Sequence, residues 1–101
     1  MNYGLKESQI QQILSIFSKF KEIEKAILYG SRAKGNYKPA SDIDLVLIGD
    51  ALNLTVLNQI ELALDDLYLP NVFDLSILHQ IANPDLIDHI NRVGIVLYKN
   101  H

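Results

Sequence analysis

Cysteine is absent from the 101-residue sequence, which removes a disulfide framework, a thiolate zinc site and a cysteine nucleophile at once. A chain without cysteine suits a reducing cytoplasm. Long apolar runs are missing as well. No stretch approaches the roughly 20 residues that span a bilayer, and Met1 to Gln12 holds no continuous apolar core of a secretory signal. The chain is therefore expected to be soluble, unexported and cytoplasmic. Basic excess is also lacking: nine Lys and Arg stand against twelve Asp and Glu, a net charge of −3, with a pI near 5.4. That balance gives no general electrostatic footprint for DNA or RNA and leaves only a local basic patch open. With no repeat, low-complexity tract or linker, there is no interior boundary to place, so residues 1–101 are expected to form one domain.

What is present fits a folded globular protein: 49% of residues are hydrophobic and 21% charged, which excludes a disordered chain. Ile10, Ile13, Leu14 and Phe17 fall on one helical face, predicting an amphipathic helix over Lys6 to Phe20. Ala26 to Tyr29 and Ile43 to Ile48 are apolar runs of strand length, each ended by glycine. Val56, Leu57, Ile60, Ala63, Leu64 and Leu67 repeat with helical period, and Pro70-Asn71 is expected to stop that helix near Leu69. Val72 to Leu78 reads as a third strand. Asn83-Pro84 starts a fourth helix, and Arg92 followed by Gly94 ends it. Ile95 to Tyr98 closes the chain as an edge strand. The expected fold is α/β (α+β), a small mixed sheet of about four strands flanked by helices.

Three features carry chemistry. Gly30-Ser31 follows a strand directly and leads through Arg32, Ala33, Lys34 and Gly35, a tight turn into a short helix. Glycine admits close backbone approach, free helix N–H groups favour phosphate oxygens, and the Ser31 hydroxyl would add a donor; Arg32 and Lys34 would add positive charge, the alternative being that one of the two points to solvent. It is not a P-loop, because no Gly-Lys-Ser/Thr triplet closes it. Asp42-Ile43-Asp44 opens an apolar strand, and alternation sends both carboxylates to one face. Ionising both is unfavourable without a cation between them, and magnesium, with manganese as substitute, is the hard oxygen-seeking ion for that place. Asp74 lies inside the apolar third strand, where a carboxylate needs a partner. If that strand adjoins the one carrying Asp42 and Asp44, three carboxylates can serve two ions about 3.5–4 Å apart, the arrangement of two-metal phosphoryl transfer.

Gly30-Ser31, ten intervening residues and then Asp42-Ile43-Asp44 resembles the signature of the DNA polymerase β nucleotidyltransferase superfamily. Within it, GSRAKGNYKPASDIDLVLI resembles the minimal nucleotidyltransferases, and FDLSIL is similar to the strand that carries the third family carboxylate. The resemblance implies a metal-dependent transfer of a nucleoside monophosphate, AMP from ATP, to a hydroxyl. It also implies a partner of the HEPN family, an RNase-like toxin, a tyrosine of which is the acceptor; this chain would then be the antitoxin. In this family reading Asp42, Asp44 and Asp74 are catalytic metal ligands, and Gly30, Ser31, Arg32 and Lys34 bind the nucleotide. The alternative is a vestigial antitoxin that neutralises its partner by binding alone.

Simpler roles stand beside these. An isolated Asp-x-Asp is often a solvated turn, Asp74 would be explained by an exposed edge strand, and Ser31 would serve as a helix N-cap. His79, His89 and His101 are expected as surface or helix residues, with Asp85 and His89 a surface pair. Tyr29, Tyr37, Tyr68 and Tyr98 are expected as core or rim aromatics, with Tyr37 also near enough to the site to stack on a base.

Overall fold

The computed structural model describes residues 3–100; His101 lies outside them. The elements run α1 (Glu7–Phe17), β1 (Lys25–Tyr29), α2 (Gly30–Lys34), β2 (Ile43–Ile48), α3 (Leu54–Asp65), β3 (Phe73–Ile77), a 3₁₀ turn (Leu78–Gln80), α4 (Pro84–Val93) and β4 (Ile95–Lys99). Every predicted element forms, in the predicted order. The four strands make one sheet in the order β3-β2-β1-β4. β1 is antiparallel to both β2 and β4, whereas β2 and β3 are parallel. The sheet is therefore mixed, and β4 lies at an edge as expected.

β2 is central, and its near-continuous apolar run reflects burial on both faces. Ile43, Leu45 and Leu47 are fully buried on the side covered by α1 and α3, against Ile13, Phe17 and Ile60. Each such side chain contributes about 1.5–3 kcal/mol by leaving water. Val46 points the other way, packing with Tyr29 and with Ile90 of α4 in a second, smaller cluster. Asp44 leaves β2 on the same side as Val46, because both sit at even positions of the strand.

Helix ends differ from expectation where local hydrogen bonding outweighs the apolar period. α1 stops at Phe17: the Ser18 hydroxyl donates to the Ser15 carbonyl at 2.7 Å, and a tight Phe20 N–H to Phe17 carbonyl bond at 3.1 Å turns the chain. α3 begins earlier than its apolar stripe because the Asn53 side chain accepts from the Val56 N–H at 2.9 Å, a capping bond. It ends at Asp65 rather than near Leu69, and Tyr68 then takes a positive φ of 53°. α4 starts as predicted, with Asn83 capping and Pro84 in the first turn. Gly94 does not stop α4 through a left-handed turn, for its φ is −64°. Its contribution is lack of bulk: a Cβ there would collide with the Ile90 carbonyl and stand 2.7 Å from Ile27 Cγ2. Glycine thus lets α4 lie tightly on β1 and turn at once into β4.

Candidate active site

The parallel register of β2 and β3 sets Asp44 directly beside Asp74, and the antiparallel register of β1 and β2 sets Tyr29 on the other side of Asp44. Tyr29, Asp44 and Asp74 therefore form a row across three adjacent strands. Asp42 sits on the residue before β2 rather than inside it, exposed to solvent, and Asp74 is exposed on the edge strand β3. Asp74 therefore has both features weighed in the sequence: it is an edge residue, and it neighbours Asp44.

β1 ends at Tyr29 and the chain turns at Gly30, whose φ of +75° is a conformation that L side chains rarely adopt. Gly30 is also pressed against β2, since a Cβ placed on it would run into the Asp44 carboxylate. These two constraints demand glycine. Gly30→Ala is expected to cost about 1–2 kcal/mol of stability for the left-handed backbone alone, and to push the Asp44 carboxylate aside. Thermal melting and a nucleotide-transfer assay would read both, with the fractional loss of transfer larger than the loss of folded protein.

Gly30 is already the first residue of α2, so Ser31 lies inside the helix and is not its N-cap. The Ser31 carbonyl accepts from the N–H groups of Gly35 and Asn36 at 2.9 and 3.1 Å, and Gly35 closes the helix at φ 88°. Lys34 is exposed on the last turn.

Arg32 differs most from expectation. Its side chain is only 2% exposed. The guanidinium donates to the Tyr3 carbonyl at 2.8 Å, the Pro39 carbonyl at 3.3 Å, and the Ser41 carbonyl through Nη2 at 2.9 Å and Nε at 3.3 Å. The Tyr37 ring covers it, with its centroid 5.3 Å from the Arg32 Cζ. A fork engaged in this way ties the Asn36–Ser41 loop to α2 and to the segment before α1. Tyr37 is likewise occupied, with its ring also lying against Gly4. Sequence alone gives no sign of this because the partners are backbone carbonyls, which no side-chain pattern encodes.

Asp44 is half-buried, and its pKa is raised above the ordinary 3.8, first by burial and then by the charges of Asp74 and Asp42, with Arg32 and His89 pulling it back. The Tyr29 hydroxyl is also pushed up, first by burial, with the nearby Ser76 side chain opposing and the Asp74 and Asp44 charges adding. These are the marks of negative charge gathered without full compensation. Because the native pKa of Asp44 is raised, its ionisation costs native stability above that pKa, and the cost disappears below pH 3.8, where both states are protonated. Asp44→Asn is accordingly expected to melt higher than the natural chain at neutral pH. The difference should shrink as pH falls toward 3.8; a difference that grew on acidification would contradict the assignment.

A hard divalent cation fits this donor set: three carboxylates, one desolvated and repelled by the other two, beside a glycine that leaves room at its oxygen. Among the described residues, however, no group of three His, Asp or Glu side chains converges tightly enough to enclose an ion. The aspartates are neighbours on an open sheet end and not a closed cage. His89 of α4 and Ser76 of β3, passed over as site residues in the sequence, form part of the wall. The His89 ring stands edge-on to Tyr29 with centroids 6.2 Å apart, and its charge acts on Asp44. A surface depression of about 360 Å³ lies at the opposite end of the sheet, lined by Glu24, Lys25, Ile48, Lys99 and Asn100, far along β2 from Asp44. No helix among the described residues is long and apolar enough to cross a membrane.

A family model for polymerase beta nucleotidyltransferases matches residues 11–101. No curated protein sequence matches the chain. Several solved structures share the fold. A toxin–antitoxin crystal structure with AMP-PNP is 22% identical, over 96% of this chain and 76% of that one, with a TM-score of 0.70. The complex of a tri-AMPylated HEPN toxin with an MNT antitoxin from Shewanella oneidensis matches at 17% identity, over 95% and 74%, with a TM-score of 0.68. A MntA–HepT toxin–antitoxin structure matches at 18% identity, over 94% and 74%, with a TM-score of 0.67. At these identities the structural likeness is one of fold. The family match over nearly the whole length, on a sheet that brings the Gly30 turn against Asp44 and Asp44 beside Asp74, identifies this chain as a member of the polymerase β nucleotidyltransferase family.

Proposed function

We propose that this chain is a metal-dependent nucleotidyltransferase that moves AMP from ATP onto a hydroxyl, a tyrosine of a HEPN-family toxin, and so acts as the antitoxin of a pair. The observation that carries the reading is the register: Asp44 beside Asp74, with Gly30 held against the Asp44 carboxylate. The toxin–antitoxin structure with AMP-PNP supports ATP as donor, and the AMPylated HEPN toxin supports the acceptor.

In this mechanism the Gly30 turn and Ser31 receive the triphosphate, because the first N–H groups of α2 are free of intrahelical partners. Lys34, exposed on α2, supplies the mobile positive charge there, while Arg32 holds the loop that leads into Asp42. Asp42, Asp44 and Asp74 would hold magnesium or manganese, which would supply charge against the triphosphate and lower the pKa of the acceptor hydroxyl. The acceptor oxygen forms its bond to the α-phosphorus as the bond to pyrophosphate breaks. The hydroxyl proton passes to Asp74, whose exposure leaves it open to an incoming partner.

One observation favours a second reading, in which the chain neutralises its partner by binding alone: the three aspartates do not enclose an ion site by themselves. The two readings separate when the purified chain is incubated with its HEPN-family partner, magnesium and labelled ATP, and the partner is analysed by peptide mass spectrometry. The enzyme reading expects AMP on a tyrosine of the partner. An unmodified partner, bound tightly after long incubation, would leave the binding reading. Repeating the incubation with GTP, CTP and UTP reads base choice.

A further inference from the structure

The Pro39 and Ser41 carbonyls, on the loop that leads into Asp42, each accept from two side chains. Arg32 reaches them from α2. Asn71 reaches them from the lead into β3, donating through Nδ2 to the Pro39 carbonyl at 3.0 Å and to the Ser41 carbonyl at 3.3 Å. Both partners of the Asn71 amide are carbonyl oxygens, so its nitrogen and not its oxygen must face them. One residue on, the Val72 carbonyl accepts from the Ile43 N–H at 2.8 Å.

These bonds bracket Asp42. It stands just outside β2, and the β1 ladder ends at Asp44, so β1 gives it no support. The peptide group before Asp42 is held through the Ser41 carbonyl by Asn71, and the peptide group after it is held through the Ile43 N–H by Val72. Asp74 follows Val72 by two residues, on β3. The segment that carries Asp74 therefore also holds Asp42 in place. Asp44 needs no such device, since ladders to β1 and β3 fix it on both sides. The Arg32 bonds do a different job: they run from α2 to Tyr3, Pro39 and Ser41 and engage nothing in β3 or its lead.

We infer that Asn71 is a positioning residue of the candidate metal site, its amide setting Asp42 relative to Asp74 and with it the affinity of the three carboxylates for a divalent ion. It acts through the Ser41 carbonyl and not by contact with the ion. This role rests on the proposed function for the ion itself. Groups that orient metal ligands in this way commonly change metal affinity by about 10–100-fold when they are removed.

The test measures manganese binding to the full chain in the presence of AMP-PNP, by calorimetry and from the electron paramagnetic resonance of the free ion. Four proteins are compared: the natural chain, Asn71→Ala, Asn71→Leu and Asn53→Ala. Leu keeps the branched shape of Asn without a donor. Asn53→Ala removes the cap of α3, beyond the far end of β2, and controls for a general loss of stability. Both Asn71 variants are expected to weaken manganese binding by about tenfold or more and to raise the ion concentration for half-maximal AMP transfer by a similar factor. Their melting temperature should fall by only roughly 4–8 °C, because Arg32 still fills both carbonyls. Asn53→Ala should melt lower by a similar amount and bind manganese as the natural chain does. Unchanged affinity in both Asn71 variants overturns the positioning role. Equal weakening by Asn53→Ala overturns it too, since the effect would then be one of stability alone. Absence of manganese binding by the natural chain removes both this role and the metal-dependent reading. If the natural chain binds manganese and loses affinity on Asn71 substitution but transfers no AMP, the positioning role stands and the transferase reading falls.

Discussion

Exchanging Asp42 and Asp44 together for Asn is expected to lower AMP transfer by on the order of 10³-fold or more while the fold persists. Both halves follow from the same geometry. Asp44 lies half-buried between Tyr29 and Asp74, and its carboxylate is the one pressed against Gly30. Asn keeps the shape but cannot offer an anionic oxygen to a hard cation. Removing two negative charges from a repelling group of three relieves native-state strain, so the variant should melt no lower than the natural chain. A steady-state transfer assay with a melting curve on the same preparation checks both. Loss of transfer accompanied by unfolding would mean that the aspartates are structural, and retained transfer would remove them from the site.

The second large effect concerns folding. Arg32→Ala is expected to destabilise the chain by about 3–5 kcal/mol, because it strips charged donors from the carbonyls of Tyr3, Pro39 and Ser41 at once and leaves a void under Tyr37. Domains of this size have about 5–15 kcal/mol in all, so the melting temperature should fall by on the order of 15–30 °C. Arg32→Lys keeps the charge but loses the planar fork, and an intermediate loss of about 2 kcal/mol is expected. Urea unfolding followed by circular dichroism measures both. If Arg32 bound phosphate and did not anchor the loop, Arg32→Ala would leave stability nearly unchanged and weaken only nucleotide binding.

Asp42, Asp44 and Arg32 also mark what was legible in the sequence. Asp42 and Asp44 were readable because their meaning is local: spacing on a strand and distance from Gly30-Ser31 are properties of one short segment. Asp74 was readable as a candidate only, since its value depended on β3 lying beside β2, a tertiary pairing. Arg32 was legible as a basic residue beside the turn but not as a loop anchor, for the converse reason. A basic residue next to a glycine turn resembles a phosphate ligand, yet backbone carbonyls as far away in sequence as Tyr3 claimed its donors first. Tyr29, Ser76 and His89 were unreadable as site walls, because strand registers and the packing of α4 assemble them from three separate elements. The strands and helices themselves followed from apolar period and capping residues, and their ends moved where one side chain or turn bond outweighed the period, as at Asn53 and Ser18.

Neutralisation of the toxin in cells separates catalysis from mere binding most directly. Growth is measured with the HEPN-family toxin expressed alone, with the natural chain, or with the chain carrying Asp42→Asn and Asp44→Asn at equal abundance. The natural chain is expected to restore growth, and the double variant, still folded and still bound to the toxin, is not. Equal rescue by the double variant would contradict it and leave this fold as a binding antitoxin.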